Sequence, residues 1–530
     1  MKWAKSANSI YHVLFDFCQW TSIHGAAHVA QADKVAIAVF WVLVTLAMFG
    51  IMAYLIVNSI LNFLSYPVTM TQRSIISKQA FPVVTICNGS PWKTTNIAGT
   101  PLEGLVDAYN AGKTNATYGF TSPFSMAESM RATRWTRLMY EELRSLEEDS
   151  GIDLSYKLSE MLIDCKYNQA DCDLSGNVTS FYDPYNGLCH TINSNMSWAS
   201  SRAGPYNGLR ISLKSPTEAY LPWVQTAGVI FYAHGTDETP FQDTFGYFAQ
   251  TGKCSSVGLR YMERVKLPHP YNDCSKNGHG AANYYSNQYE VEACLRSCLQ
   301  DNIMKICGCY DPQYNYPSNV SVPSCYKMPD INEAIDCADS IINEVDESSN
   351  TSITECNCPF GCDESFYQIA MSQAKWPATT YMPPECANIT ANWNNKSECV
   401  EWYKANTLML EIYLERSSYQ SNLESVGYTL TNMIADVGGQ LGLWLGMSVL
   451  SLFELCALGF LVVLFFIVRP EPVTIGKYDY FAQFNKQIAE QGTSLIYRSP
   501  SEKNEEILKD INIAPPKIAE AQPVPGASFK

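Results

Sequence analysis

The 530-residue sequence is short of positive charge, with 36 Lys and Arg against 52 Asp and Glu and a formal net charge of -16. That balance argues against nucleic acid as a partner and favours cations or cationic ligands. The chain also lacks the spacings that carry common catalytic chemistry. Its 7 histidines form no H-E-x-x-H and no G-x-S-x-G elbow is present, so no enzyme activity, cofactor or metal site is expected. No cleavable leader is legible either, because the first apolar run starts late and is far longer than a signal-peptide core. That run, Val35 to Leu64, has no charged residue at all. At about 1.5 Å per residue it exceeds the roughly 30 Å hydrocarbon core of a bilayer. A second apolar stretch, Leu430 to Val468, carries only Asp436 and Glu454 and is interrupted by glycines. Both stretches are expected to span a membrane.

Basic residues beside the spans are too few to orient them, since Lys34 and Arg469 stand alone. The segment between them decides. It holds eight N-x-S/T sites, at Asn88, Asn115, Asn177, Asn195, Asn319, Asn350, Asn388 and Asn395, and all the cysteines except Cys18 and Cys456. Such density belongs to an oxidising, glycosylating compartment. Residues 65–424 are therefore expected outside the cell, with residues 1–34 and 469–530 cytosolic and the chain in the plasma membrane. The last segment ends in the proline-rich APPKIAEAQPVPGASFK and reads as largely disordered.

Residues that are 46% hydrophobic and 12% aromatic suit a packed ectodomain. The run Phe81 to Asn88 reads as a buried strand. Met126 to Leu146 and Leu154 to Leu162 carry apolar residues at three- and four-residue intervals and read as amphipathic helices, while Ala227 to Ala233 reads again as strand. The fold class is a membrane α+β protein. Cys294 and Cys298, Cys307 and Cys309, and the C-x-C-x-x-x-C cluster Cys356, Cys358 and Cys362 mark disulfides rather than a metal centre in that compartment. Spacing alone leaves their connectivity open.

In the second span, Gly438, Gly439, Gly442 and Gly446 admit two readings: close helix packing through small residues, or a chain that unwinds near Gly446-Met447-Ser448 and turns carbonyl oxygens toward a water-filled path. Glu454 would cost about 2.5–3.5 kcal/mol facing lipid at a helix centre. It is expected to face a pore or a partner, as one member of a cation-gathering ring, or else to reach the interface.

The His24-Gly25 pair, the FPVVTICN strand, the Leu162 to Cys172 stretch, the cysteine array and DVGGQLGLWLGMS together resemble the degenerin/epithelial sodium channel superfamily from about Thr21 to Arg469. The resemblance implies a homotrimeric, amiloride-sensitive sodium channel. Each subunit would have two transmembrane helices, 35–64 and 430–468, and a large disulfide-rich hand-shaped ectodomain with a helical finger at about 100–165 and a stapled thumb at about 275–365. It implies the pairs Cys87–Cys189, Cys165–Cys172, Cys274–Cys362, Cys294–Cys358, Cys298–Cys356, Cys307–Cys337 and Cys309–Cys325. Cys386 and Cys399 are left to close a loop of their own, with Cys254 unpaired. It makes Gly446, Met447 and Ser448 the selectivity filter, with Met447 an unusual middle residue; Asp436, by the same cost in lipid as Glu454, is expected to form an outer cation-attracting ring. Ala435 matches the position where a small side chain lets the gate close. Gly438 and Gly439 fall in the pore, His24-Gly25 in a cytosolic gating motif, and Tyr66 with Tyr271 at the wrist.

Acid-sensing members carry a histidine pair where this chain reads Ser65-Tyr66-Pro67-Val68-Thr69. The run SSVGLRYMERVKLPHPYNDC is instead similar to invertebrate channels opened by FMRFamide-type neuropeptides. An amidated, arginine-bearing peptide needs carboxylates beside aromatic rings. Phe120, Phe124, Met130, Trp135, Met139, Tyr140, Glu141 and Glu142 offer that mixture. Proton gating, and a two-span receptor that conducts nothing, are the alternatives.

Overall fold

The computed structural model describes residues 10–468 apart from 11–12, 16, 115–117, 121, 201, 277, 279–281, 286–287, 348–355 and 388–392. The cytosolic tail expected at 469–530 lies outside the described residues. The chain forms two compact units, Met1–Ser59 with Ile434–Lys530, and Ile60–Met433.

In the first unit the helix Val35–Leu64 is long and apolar enough to cross a bilayer, and Met52 is its one buried residue. A helix that is apolar all round and buries almost nothing of itself is suited to lipid. The second apolar stretch is not one rod. It is two helices, Leu430–Leu445 and Val449–Val468; the first and the stretch Val449–Val463 together have the length and hydropathy of a span, bent by 73° at the junction.

The second unit is built on two sheets. The larger has eight strands, and its organising member is Lys253–Val265. Along its whole length that strand pairs antiparallel with Asp363–Lys375. On its other edge it runs parallel first to Thr407–Leu414 and then to Ser418–Val426. Ser418–Val426 in turn pairs with Val68–Ile76, the strand that follows the first apolar helix. The smaller sheet orders Tyr247–Gln250, Gly228–His234, Val83–Asn88, Gly187–Ile192 and Val178–Asp183. Val83–Asn88 is central and buried at every residue; its polar members are hydrogen-bonded, Thr85 with Thr191 and His234, and Asn88 with the Ser90 carbonyl and Ser215. Phe81, Ile86, Ile211, Phe231, Leu259 and Leu410 belong to one core that both sheets supply.

Between the strands sits a helical insertion: Pro101–Ala111, Met126–Leu138, Tyr140–Ser150 and the single turn Leu158–Met161. The periodic stretch Met126 to Leu146 is thus divided at Met139. Leu154 to Leu162 is mostly not helix, because the Leu154 and Ser155 N–H groups donate to the Glu147 carboxylate at 2.9 and 2.6 Å rather than to a helical turn. A second pair of helices, Val291–Cys307 and Ile331–Glu347, is held by disulfides.

The eight disulfides join Cys87–Cys189, Cys165–Cys172, Cys274–Cys362, Cys294–Cys358, Cys298–Cys356, Cys307–Cys337, Cys309–Cys325 and Cys386–Cys399. Cys18, Cys254 and Cys456 are free. Of the glycosylation sequons, Asn195, Asn319 and Asn395 are exposed, while Asn115, Asn350 and Asn388 lie outside the described residues. Two must be withdrawn as glycan acceptors. Asn88 is 1% exposed, its amide donating to the Ser90 carbonyl and its oxygen accepting from Ser215 Oγ; Asn177, at 8%, donates to the Asp173 carbonyl and accepts from Ser197. Neither has room for a sugar in the folded chain.

Candidate functional site

The junction Gly446-Met447-Ser448 is the most specific local structure in the first unit. Leu430–Leu445 ends because Gly446 turns left-handed, at φ 65°, and its N–H closes onto the Gly442 carbonyl at 3.0 Å, a glycine-dependent helix stop. Val449–Val468 begins with Ser451 Oγ accepting from the Ser448 N–H at 2.9 Å, as a side chain three residues into a helix does in a capping box. The break is therefore built from the sequence on both sides.

His24-Gly25 packs into this notch. The His24 N–H donates to the Leu445 carbonyl at 3.0 Å, and a Cβ added to Gly446 would lie 2.3 Å from His24 Nδ1. At Gly25 an added Cβ would fall 2.1 Å from Thr45 Oγ1, so this residue lies against the Val35–Leu64 helix. His28 stacks on Trp41 with ring centroids 4.4 Å apart. A residue pair that is nearly mute in sequence thus holds the broken helix.

Glu454 is met by donors from the N-terminal segment of its own chain. Its Oε2 accepts from Thr21 Oγ1 at 2.9 Å, from the Ser22 N–H at 2.9 Å and from Ser22 Oγ at 3.1 Å. Ser22 Oγ also shares a 2.5 Å hydrogen bond with Ser451 Oγ. The carboxylate is satisfied by donors from its own chain, which is what makes its place in an apolar helix tolerable. Ala435, Asp436, Gly438 and Gly439 lie exposed on Leu430–Leu445, and a Cβ at either glycine would meet nothing within 4 Å.

In the second unit Tyr66 and Tyr271 meet edge to face, centroids 5.5 Å apart. Sequence reasoning missed what fixes Tyr271. Glu424 Oε2, on the strand Ser418–Val426, accepts from the Leu267 N–H at 3.1 Å and from Asn272 Nδ2 at 2.7 Å, so it holds both ends of the turn carrying Tyr271.

The proposed peptide residues do not form an open cleft. Phe120, Trp135 and Met139 are at most 1% exposed and belong to one hydrophobic core with Trp92, Leu102 and Ile335. Phe124 packs on Phe120 and Tyr109. Tyr140 donates to the Tyr182 carbonyl at 3.0 Å, and burial raises its pKa. Glu141 is engaged by the hydroxyls of Tyr310 and Tyr316, at 3.0 and 2.9 Å. Glu142 is exposed, and Met130, 69% exposed, is the one freely exposed apolar member. Helical periodicity marks an apolar face, and here that face is inward.

Several carboxyls of this unit are displaced from their ordinary range. Burial, reinforced by Glu238, pushes Glu290 up to about 7, although its Oε1 accepts from the Thr239 N–H at 2.8 Å. Burial and then Asp243 raise Asp183 to about 6, and burial raises Asp311 to about 6. Arg296 draws the neighbouring acids together, donating to Asp243 at 2.6 Å and Glu292 at 2.7 Å.

Residues 17–458 match the family described as "Amiloride-sensitive sodium channel". Similar proteins of Caenorhabditis elegans include the degenerin-like protein asic-2, 28% identical over 84% of this chain and 85% of its own, and degenerin unc-8, 34% identical over 59% of this chain. The degenerin-like protein unc-105 is 36% identical over 59% of this chain. The matched stretch is 40% of unc-8 and 36% of unc-105, so those proteins are much longer than the region they share with this one.

Proposed function

The chain belongs to the amiloride-sensitive sodium channel family, and on that premise we propose that it is a ligand-gated sodium channel of the plasma membrane. Three copies surround the ion path, each crossing the membrane twice with both termini in the cytosol. The observation that carries the reading is the glycine-made break at Gly446-Met447-Ser448 in an otherwise apolar helix, held from the side by His24. A bilayer tolerates irregular backbone only where protein or water covers it, which is the situation of a filter. Sequons and disulfides confined to the segment between the apolar stretches support its extracellular placement.

The activating ligand is an extracellular amidated peptide of the FMRFamide type. This rests on the run Ser255 to Cys274, on the net negative charge, and on the lack of a histidine pair above the first helix. Tyr66 and Tyr271 carry the stimulus toward the pore. In cells expressing the chain, the peptide is expected to evoke an amiloride-sensitive sodium current. Ala435→Phe is expected to give standing current without ligand, at least tenfold above background. Silence under peptide, under acid and with Ala435→Phe at normal surface density would sink the channel reading.

Acid is the second stimulus to weigh, and Glu290 favours it. Its folded pKa lies above the ordinary value, so its stabilising contribution is complete below about pH 4.3 and is lost as pH rises through about 7. Acidifying from pH 8 to 6 is therefore expected to raise the melting temperature of the full-length protein, and Glu290→Gln to flatten that rise. Differential scanning fluorimetry across the window checks it; an unchanged slope in the variant would remove Glu290 as a sensor.

A further inference from the structure

With the helical insertion closed by its own core, the ectodomain offers a different open site. A cavity of about 530 Å³ lies between the loop that carries Tyr271 and the cysteine-rich segment before Asp363. His269 and Asp273 line it from the loop, and Asn357 and Phe360 from the facing segment, with disulfide-bonded cysteines among the other lining residues. Disulfides Cys274–Cys362 and Cys298–Cys356 tie these walls to the sheet and to the Val291–Cys307 helix. The volume falls in the range of small-molecule sites.

We propose that this cavity binds an organic cation, a guanidinium or alkylammonium group, with Asp273 as its counter-ion and the Phe360 ring as its apolar face. Asp273 is exposed, and among the described residues no hydrogen bond or ion pair occupies its carboxylate. The nearby cationic side chains are already matched: Lys276 with Asp363 at 3.2 Å, and Lys266 with Glu364 at 3.9 Å. Phe360 is 67% exposed, and its ring already takes the Lys266 ammonium 5.2 Å from its centroid. That contact shows the ring accepting a cation. A divalent metal fits less well, because no third carboxylate, imidazole or thiolate joins His269 and Asp273 among the described residues, and the lining cysteines are oxidised. The proposal deepens the ligand-gated reading and rests on it for its consequence. A cation seated here would bear on the Glu424-held turn that carries Tyr271.

The test is binding of argininamide to the full-length detergent-solubilised protein, followed by titration calorimetry. Saturable binding is expected, weakened about tenfold or more by Asp273→Asn and by Phe360→Ala, as loss of a charge-assisted contact or of a ring face implies. Asp273→Asn keeps the shape of an exposed side chain, so its melting temperature should match the unchanged chain. No saturable binding, or equal binding by all three proteins, would overturn the proposal. Because no current is read, that failure leaves the channel reading standing, and absence of current would leave a positive titration standing.

Discussion

Replacing Gly446 by alanine is expected to reduce sodium current at least tenfold with the protein still at the cell surface. Two costs act together. At φ 65° an L side chain is disfavoured by about 1–2 kcal/mol. The new methyl carbon would also lie 2.3, 2.4 and 2.7 Å from His24 Nδ1, Cε1 and Cγ, well inside contact distance. The His24 N–H is tied to the Leu445 carbonyl, so relief must come from turning the imidazole out of its place or from moving the backbone around it. Either way the packing of His24 against the helix break is lost. Gly438→Ala and Gly439→Ala are the controls, since a methyl there meets nothing within 4 Å in the single chain. Loss of current in those variants would place the two glycines against another copy, which is the helix-packing reading of the same residues. Surface biotinylation with whole-cell recording separates the cases, and full current from Gly446→Ala would refute the filter assignment.

Trp135→Ala is expected to destabilise the ectodomain by about 3–5 kcal/mol, the usual cost of emptying a large aromatic from a core. Trp135 is 1% exposed, in one core with Leu102, Leu105, Phe120 and Ile335. The consequence is a fall in surface expression and a lower melting temperature. A peptide contact would behave otherwise, folding normally and losing only ligand response. Met130→Ala, on the same helix but 69% exposed, should change stability by no more than about 0.5 kcal/mol. If Trp135→Ala reached the surface and melted as the unchanged chain does, the assignment of Trp135 to the core would be wrong.

How much of this was legible beforehand depends on how local the cause is. The strand Val83–Asn88 shows in sequence because a run of β-branched residues has few other uses, and the helix stop at Gly446 because glycine is the residue that a left-handed turn selects. Periodicity also reveals that Met126 to Leu146 is helical. It does not reveal what the apolar face meets, and a buried Trp135 is indistinguishable in sequence from one that waits for a ligand. Glu424 was missed for a related reason: it and Asn272 are 152 positions apart, and a hydrogen bond across that distance leaves no spacing to find. Glu454 was noticed through its cost in lipid, yet Thr21 and Ser22, the groups that offset the cost, are ordinary residues until the chain brings them there.

The pairing of Lys253–Val265 with Asp363–Lys375 runs over 13 residues without a shift of register. Two ribbons joined that way part easily when peeled from one end and resist when drawn lengthwise, since every rung must then give at once. A pull on Cys362, one residue before the second ribbon and disulfide-bonded to Cys274, runs along its length. It would therefore travel as displacement of a stiff bar rather than be absorbed by fraying.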